Sequence, residues 1–232
     1  MITDLLIKSY PKDFEWIKYC LQSIKKRVKG YGTLHIIIPE GTEKDFYTIN
    51  KEFPEQTNVH IVKEEGSGYI WQQYIKMSAF NYSNADQIVF VDSDNIFQVD
   101  TDFSEYIEKP LILMTDYSKV GDAICWKPVV DDIFNRDVRY EFMRRHPFIF
   151  HLSTLRNLSA WLGSDLKDFV MKRNRFSEFN VIGAYAYYYE PDRYIFLDTV
   201  NWTYTKPLVR QFWSLDGIAK NMEEINNLLN ES

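Results

Sequence analysis

Ile88-Val89-Phe90-Val91-Asp92-Ser93-Asp94-Asn95-Ile96 joins a short apolar run to two aspartates one residue apart. The apolar part predicts a buried strand, and the aspartates mark its end. Open α/β sheets place their chemistry at the carboxyl ends of strands, so this is where a site is expected. Two acidic side chains leaving one strand end suit a hard divalent cation, which takes oxygen ligands and can hold substrate phosphates at the same time. Asp-Ser-Asp-Asn would also make a good Asx-rich turn with no further role.

Upstream, Asp4-Leu5-Leu6-Ile7-Lys8-Ser9 reads as the first strand, ended by Tyr10-Pro11. Phe14, Ile17, Leu21, Ile24 and Val28 recur at spacings of three and four, predicting an amphipathic helix with Asp13 as N-cap and an end near Gly30 and Gly32. Residues 34–39 and 58–62 read as further strands, and a helix from about 69 to 81 follows Gly66-Ser67-Gly68. Three β-then-helix units therefore precede Asp92, the alternation that builds a parallel sheet. Downstream, strands are expected at 111–114 and 194–197, helices at 137–146, 153–162, 164–172 and 178–188, and a helical segment from Gly217 onward. No repeat, low-complexity tract or linker interrupts the chain. The expected fold class is α/β, a Rossmann-type mostly parallel sheet flanked by helices, in one domain over 1–232. Its first part, 1–115, reads as a nucleotide-binding half and 116–232 as a recognition half.

The 232 residues suffice for one sizeable core. A net charge of −6 gives no general attraction to nucleic acid, which needs a basic footprint. Local basic stretches exist at Lys25-Lys26-Arg27 with Lys29, and at Arg139, Arg144, Arg145, Lys172, Arg173 and Arg175. The first reads as a solvated helix face. Only Cys20 and Cys125 are present, so no disulfide framework is expected. No apolar stretch approaches the roughly 20 residues that span a bilayer, and the start of the chain lacks a signal pattern. A cytoplasmic protein without a membrane span is expected.

Taken together, these features resemble a glycosyltransferase of the GT-A fold, most closely the small bacterial and phage type. The resemblance rests on Ser9-Tyr10 at the end of the first strand, on Gln72, Gln73 and Lys76 in the helix before the aspartate strand, on the Asp-x-Asp motif of Val91-Asp92-Ser93-Asp94, and on Phe176-Ser177-Glu178-Phe179 opening a later helix. It spans roughly residues 3–200 through short motifs. It implies a nucleotide-binding half followed by an acceptor-recognition half, and transfer of a hexosyl or pentosyl group from a nucleotide-sugar donor, a UDP-sugar, with Mn²⁺ or Mg²⁺ as cofactor. A metal bridging the diphosphate would stabilise the charge on the leaving nucleotide. The implied metal ligands are Asp94 first, with Asp92 near the ribose or reaching the metal through water, and His151 as a candidate third ligand beside Asp198 or water. A histidine near the C-terminus, which some relatives use, is missing here.

Ser9, Tyr10, Gln72, Gln73, Lys76, Asp92, Ser93, Arg210 and Trp213 are the implied nucleotide-sugar contacts, with Tyr10 at the base and Lys206, Arg210 and Trp213 as a lid that excludes water. Glu178 is the candidate catalytic carboxylate with Asp94, either as general base or as a holder of sugar hydroxyls. Gln72, Gln73 and Lys76 could equally lie on a solvated face, Glu178 could serve helix-end electrostatics alone, and His151 could be a satisfied core histidine. Arg144-Arg145-His146-Pro147 is a further polar cluster. The acceptor could be a glycan, a small molecule or a modified nucleic-acid base. Rival readings are a haloacid-dehalogenase-type phosphatase, whose aspartate strand would open the fold rather than follow three units, and a non-catalytic sugar-nucleotide-binding module. A nucleotidyltransferase would want a Gly-rich loop where Ser9-Tyr10-Pro11-Lys12 stands.

Overall fold

The computed structural model describes residues 1–105, 107–143, 146, 148–163, 165–173, 175–201, 207–213 and 217–230. In chain order these form β1 (Thr3–Lys8), α1 (Phe14–Arg27), β2 (Val28–Lys29), β3 (Leu34–Pro39), α2 (Glu43–Ile49), β4 (Thr57–Val62), α3 (Gly68–Met77), β5 (Gln87–Asp92), β6 (Asn95–Phe97) and β7 (Thr101–Asp102). There follow β8 (Leu111–Asp116), α4 (Lys127–Phe134), β9 (Tyr140–Glu141), β10 (Phe148–His151), α5 (Leu152–Trp161), α6 (Leu166–Met171), α7 (Glu178–Tyr189), β11 (Ile195–Asp198), β12 (Val209–Gln211) and α8 (Met222–Asn230). Two compact units emerge. One gathers residues 1–64, 88–106 and 205–232, the other 65–87 and 107–204. Among the described residues no helix is long and apolar enough to cross a membrane.

In the first unit the strands lie in the order β5-β1-β3-β4. β1 pairs with β3 and β3 with β4, both in parallel. Parallel strands covered on both faces need continuous apolar runs, and the sequence supplies them: Leu5, Leu6, Ile7 and Ile36 to Ile38 are fully buried, and Ile88 to Val91 nearly so. α1 buries Phe14, Ile17, Leu21 and Ile24 as its spacing predicts, along with Cys20, but it ends at Arg27, and Val28, the last residue of the expected stripe, opens β2. Asp13, expected as its N-cap, makes no side-chain capping bond. A 3₁₀ turn over Pro11–Asp13 precedes the helix, and the Asp13 N–H already donates to the Tyr10 carbonyl at 2.8 Å. The backbone is thus turned before Asp13 is reached.

A smaller core joins the chain's two ends. β12 runs antiparallel to β6, and Trp16, Ile96, Phe212, Ile225 and Leu228 pack together, with Trp16 and Phe212 stacked at 5.8 Å. At the end of α1, Lys26 and Arg27 donate to the Leu229 and Leu228 carbonyls of α8 at 2.8 and 3.0 Å. Basic side chains there satisfy carbonyls that the last turn of α8 leaves open.

In the second unit β8 pairs in parallel with β11 and antiparallel with β9. The helices expected at 153–162, 164–172 and 178–188 form as α5, α6 and α7. The helix expected at 137–146 does not. The chain is helical earlier, in α4, which stops where Asn135 takes a left-handed conformation at φ 49°. Beyond it the Val138 N–H goes to the Asp131 carboxylate at 2.8 Å, Tyr140 and Glu141 pair with β8, and the Phe142 N–H goes to Asn180 Oδ1 at 2.7 Å. These partners take donors that a helix would have used internally.

Candidate functional site

β5 carries its apolar run to Val91 and delivers Asp92, half-buried, at its last position. Ser93 is buried, with its hydroxyl 3.0 Å from Ser9 Oγ and 3.3 Å from the Lys8 carbonyl oxygen. The ends of β5 and β1 are therefore tied together, and the two sequence motifs Ser9-Tyr10 and Asp92-Ser93-Asp94 meet. On the other side, the half-buried Asp94 accepts the Phe212 N–H on its carbonyl at 2.9 Å, and β6 begins at Asn95 opposite Gln211. Both aspartates lie near the Cys20 thiol: burial, and then the charges of Asp94 and Asp92, push that thiol well up and keep it protonated. Cys20 is inert packing.

Lys8 belongs to this cluster and was not among the expected site residues. Its Nζ is fully buried, ion-paired with Glu64 at 2.5 Å, donates to the Ser9 carbonyl at 2.8 Å and sits 3.8 Å from the centroid of the Tyr10 ring. Burial lowers its pKa to about 8 against the opposing pull of Glu64. The signal was present: a lysine closing a strand directly after Leu5-Leu6-Ile7 needs a buried partner. The cation on Tyr10 fixes one face of that ring.

At the C-terminal side of this unit Arg210 is paired with Glu224 at 2.7 Å, and Trp213 is 69 % exposed. Lys206, the third member of the expected lid, lies outside the described residues, as do Arg144, Arg145 and Pro147 of the expected polar cluster.

The second unit holds Gln72, Gln73, Lys76 and Glu178. Gln72 is half-buried, whereas Gln73 and Lys76 are 1 % and 2 % exposed, so a solvated face is not what they form. Lys76 Nζ meets Glu178 Oε1 at 3.0 Å and lies 4.5 Å from the Phe179 ring centroid, and that ring stacks on Phe148 at 3.8 Å. Glu178 opens α7 behind Ser177, whose hydroxyl accepts the Asn180 N–H at 3.4 Å. Glu178 thus sits in the first turn of α7 with Lys76 as its ion-pair partner. Its charge is felt at Tyr69, where burial first and Glu178 next push the phenol up to about 12. Both amide atoms of Gln73, on the same helix as Lys76, are buried without a hydrogen-bond partner among the described residues. Such an amide carries an unmet desolvation cost.

His151 is buried in the same unit. Its N–H backbone donates to Tyr194 Oη at 3.1 Å, its ring packs against Tyr194, and its Nδ1 lies 3.5 Å from Gln87 Nε2. Burial and then the Arg193 charge lower its pKa, so it is neutral near pH 7. Among the described residues no three His, Cys, Asp or Glu side chains converge as a metal-holding group. No family model matches this chain, and a search of the curated proteins finds no match.

Proposed function

We propose that the protein is a metal-assisted glycosyltransferase that moves a sugar from a nucleoside-diphosphate donor, a UDP-sugar, to a hydroxyl acceptor. The observation that best supports this reading is the junction of β1 and β5 at Ser9 and Ser93, with Asp92 and Asp94 leaving beside it and the Tyr10 ring pinned by Lys8. Tyr10 then offers one aromatic face to a base, and Asp92 and Asp94 supply carboxylate oxygens to the phosphate end of the same ligand. Two carboxylates, with no group of three His, Cys, Asp or Glu converging among the described residues, fit a hard cation of the Mg²⁺ or Mn²⁺ kind, which completes its shell with water and substrate phosphate. When bound, such an ion would offset the negative charge developing on the departing nucleotide.

In this assignment Glu178 takes a polar group of the acceptor or sugar. Its pairing with Lys76 at 3.0 Å favours binding over proton abstraction, because the carboxylate oxygen that would take a proton is already engaged. A thermal-shift screen of nucleotide sugars with and without Mn²⁺ tests the reading, since a donor that binds the folded state raises the melting temperature by mass action. Asp94→Ala should keep the fold while losing the Mn²⁺-dependent part of that shift and lowering transfer at least about 100-fold, the scale of a lost charge-stabilising group. Equal shifts and equal turnover in Asp94→Ala and the parent would remove Asp94 from the site.

A further inference from the structure

Across β1, β3 and β4 the structure builds a polar chain that the proposed activity does not use. Asp4 Oδ1 accepts the Thr33 N–H at 2.8 Å, and Oδ2 lies 3.0 Å from His35 Nε2. His35 Nδ1 lies 2.9 Å from His60 Nε2, and the two rings stack at 5.2 Å. Asp4 and His35 are buried at 5 % and 4 % exposure, and His60 is half-buried on β4, the last strand in the order β5-β1-β3-β4. We infer that this carboxylate–imidazole–imidazole chain is a proton-operated latch that holds the edge strand β4 to the sheet and releases it when the second imidazole becomes charged.

The proton count carries the inference. Asp4 as a carboxylate accepts from His35 Nε2–H. One proton must then lie between His35 Nδ1 and His60 Nε2, and either ring can own it. Two neutral rings satisfy the chain, and so does one positive charge on the pair, since one ring still offers a lone pair to the other. A second cation does not: both facing nitrogens would carry hydrogens, and two positive rings would be in contact. Along this chain His35 from β3 faces His60 and Asp4 from β1 faces His35, while Glu64, two residues beyond β4, is turned to Lys8. Burial, then the His35 charge, lowers the His60 pKa below 6.5. The folded state thus resists a proton that the unfolded state accepts. The latch is closed above about pH 6.5 and its contribution is lost as pH falls through the lowered value. Because Glu64 lies only two residues beyond β4, loosening reaches the ion pair that positions Lys8 against Tyr10. Its bearing on donor binding depends on the proposed activity; the exchange readout below does not.

Hydrogen exchange on the full chain at about pH 7.5 and about pH 5.5, corrected for intrinsic rates, tests the latch. Amides of 57–62 should lose protection by up to about tenfold per pH unit below His60's ordinary value, and those of β1 and β5 should not. His60→Gln, which can donate or accept but not titrate, should flatten this response. The same pH response in His60→Gln would overturn the latch. If that variant fails to fold, the ring-nitrogen shifts of His60 in the parent protein decide: protonation in step with lost β4 protection supports it, and protonation without such loss refutes it.

Discussion

At the scale of single residues, Lys8 shows how one misplaced-looking side chain defines a neighbourhood. An ammonium in a buried strand costs desolvation, and the fold answers with Glu64, a backbone carbonyl and an aromatic face. The answer is incomplete, because the pKa still falls to about 8. The sign follows from proton counting. Between about pH 8 and pH 10.5 the unfolded chain keeps a proton that the folded state has released, so stability contributed by this site rises with pH across that window and is flat below it. The slope is about 1.4 kcal/mol per pH unit at its steepest. Denaturant melts at several alkaline pH values should show this rise in the parent relative to Lys8→Met, which has no charge to shed. Parallel stability curves for the two proteins would mean that Lys8 is solvated in solution.

At the scale of elements, α3 and α7 are held by the Lys76–Glu178 pair, whose side chains are 2 % and 9 % exposed. Removing one partner strands the other charge, so Lys76→Met should cost about 3–5 kcal/mol in urea melts. Lys76→Met combined with Glu178→Leu should be milder than the single change, since no charge remains to be buried. A single-variant cost near zero would exclude the buried pair. The elements themselves were largely legible. Continuous apolar runs located β1, β3 and β5, three-and-four spacing located α1, and helical patterns placed α5 and α7, because burial patterns are local in sequence. What failed was decided by distant partners: the Asp131 and Asn180 side chains that take the N–H groups of Val138 and Phe142 cancel the helix expected over 137–146. The Asp4–His35–His60 chain was equally hidden, because it exists only once β1, β3 and β4 stand side by side. The candidate site divides the same way. The Asp-x-Asp turn was visible as a strand end, while Lys8 became meaningful only with Glu64 and Tyr10 around it.

At the scale of the whole molecule, charge decides which acceptors are plausible. Among the described residues, most basic side chains of the two stretches are committed within the protein. Lys25, Arg27 and Lys29 meet Glu52, Asp100 and Asp102, and Lys26 donates to a carbonyl of α8. In the second stretch Arg139 meets Asp116, Lys172 meets Asp168, and Arg173 donates to the Phe169 carbonyl while lying over its ring. Several of these pairs are exposed and individually weak, so they would not by themselves stop a phosphate from competing. The ion pairs among them, however, bring a carboxylate to the place where a phosphate would have to sit, and the net charge of −6 adds a repulsive background. Binding through many phosphates releases many counterions and so falls steeply with salt. The expectation here is weak duplex-DNA binding whose affinity changes less than tenfold between about 50 mM and about 200 mM salt, against a loss of about 10³-fold or more for a protein that grips six or more phosphates. Fluorescence anisotropy with a labelled duplex at those two concentrations measures it. A steep slope would return a nucleic-acid base to the front of the acceptor list, whereas a shallow one leaves uncharged hydroxyl acceptors as the better match to this surface.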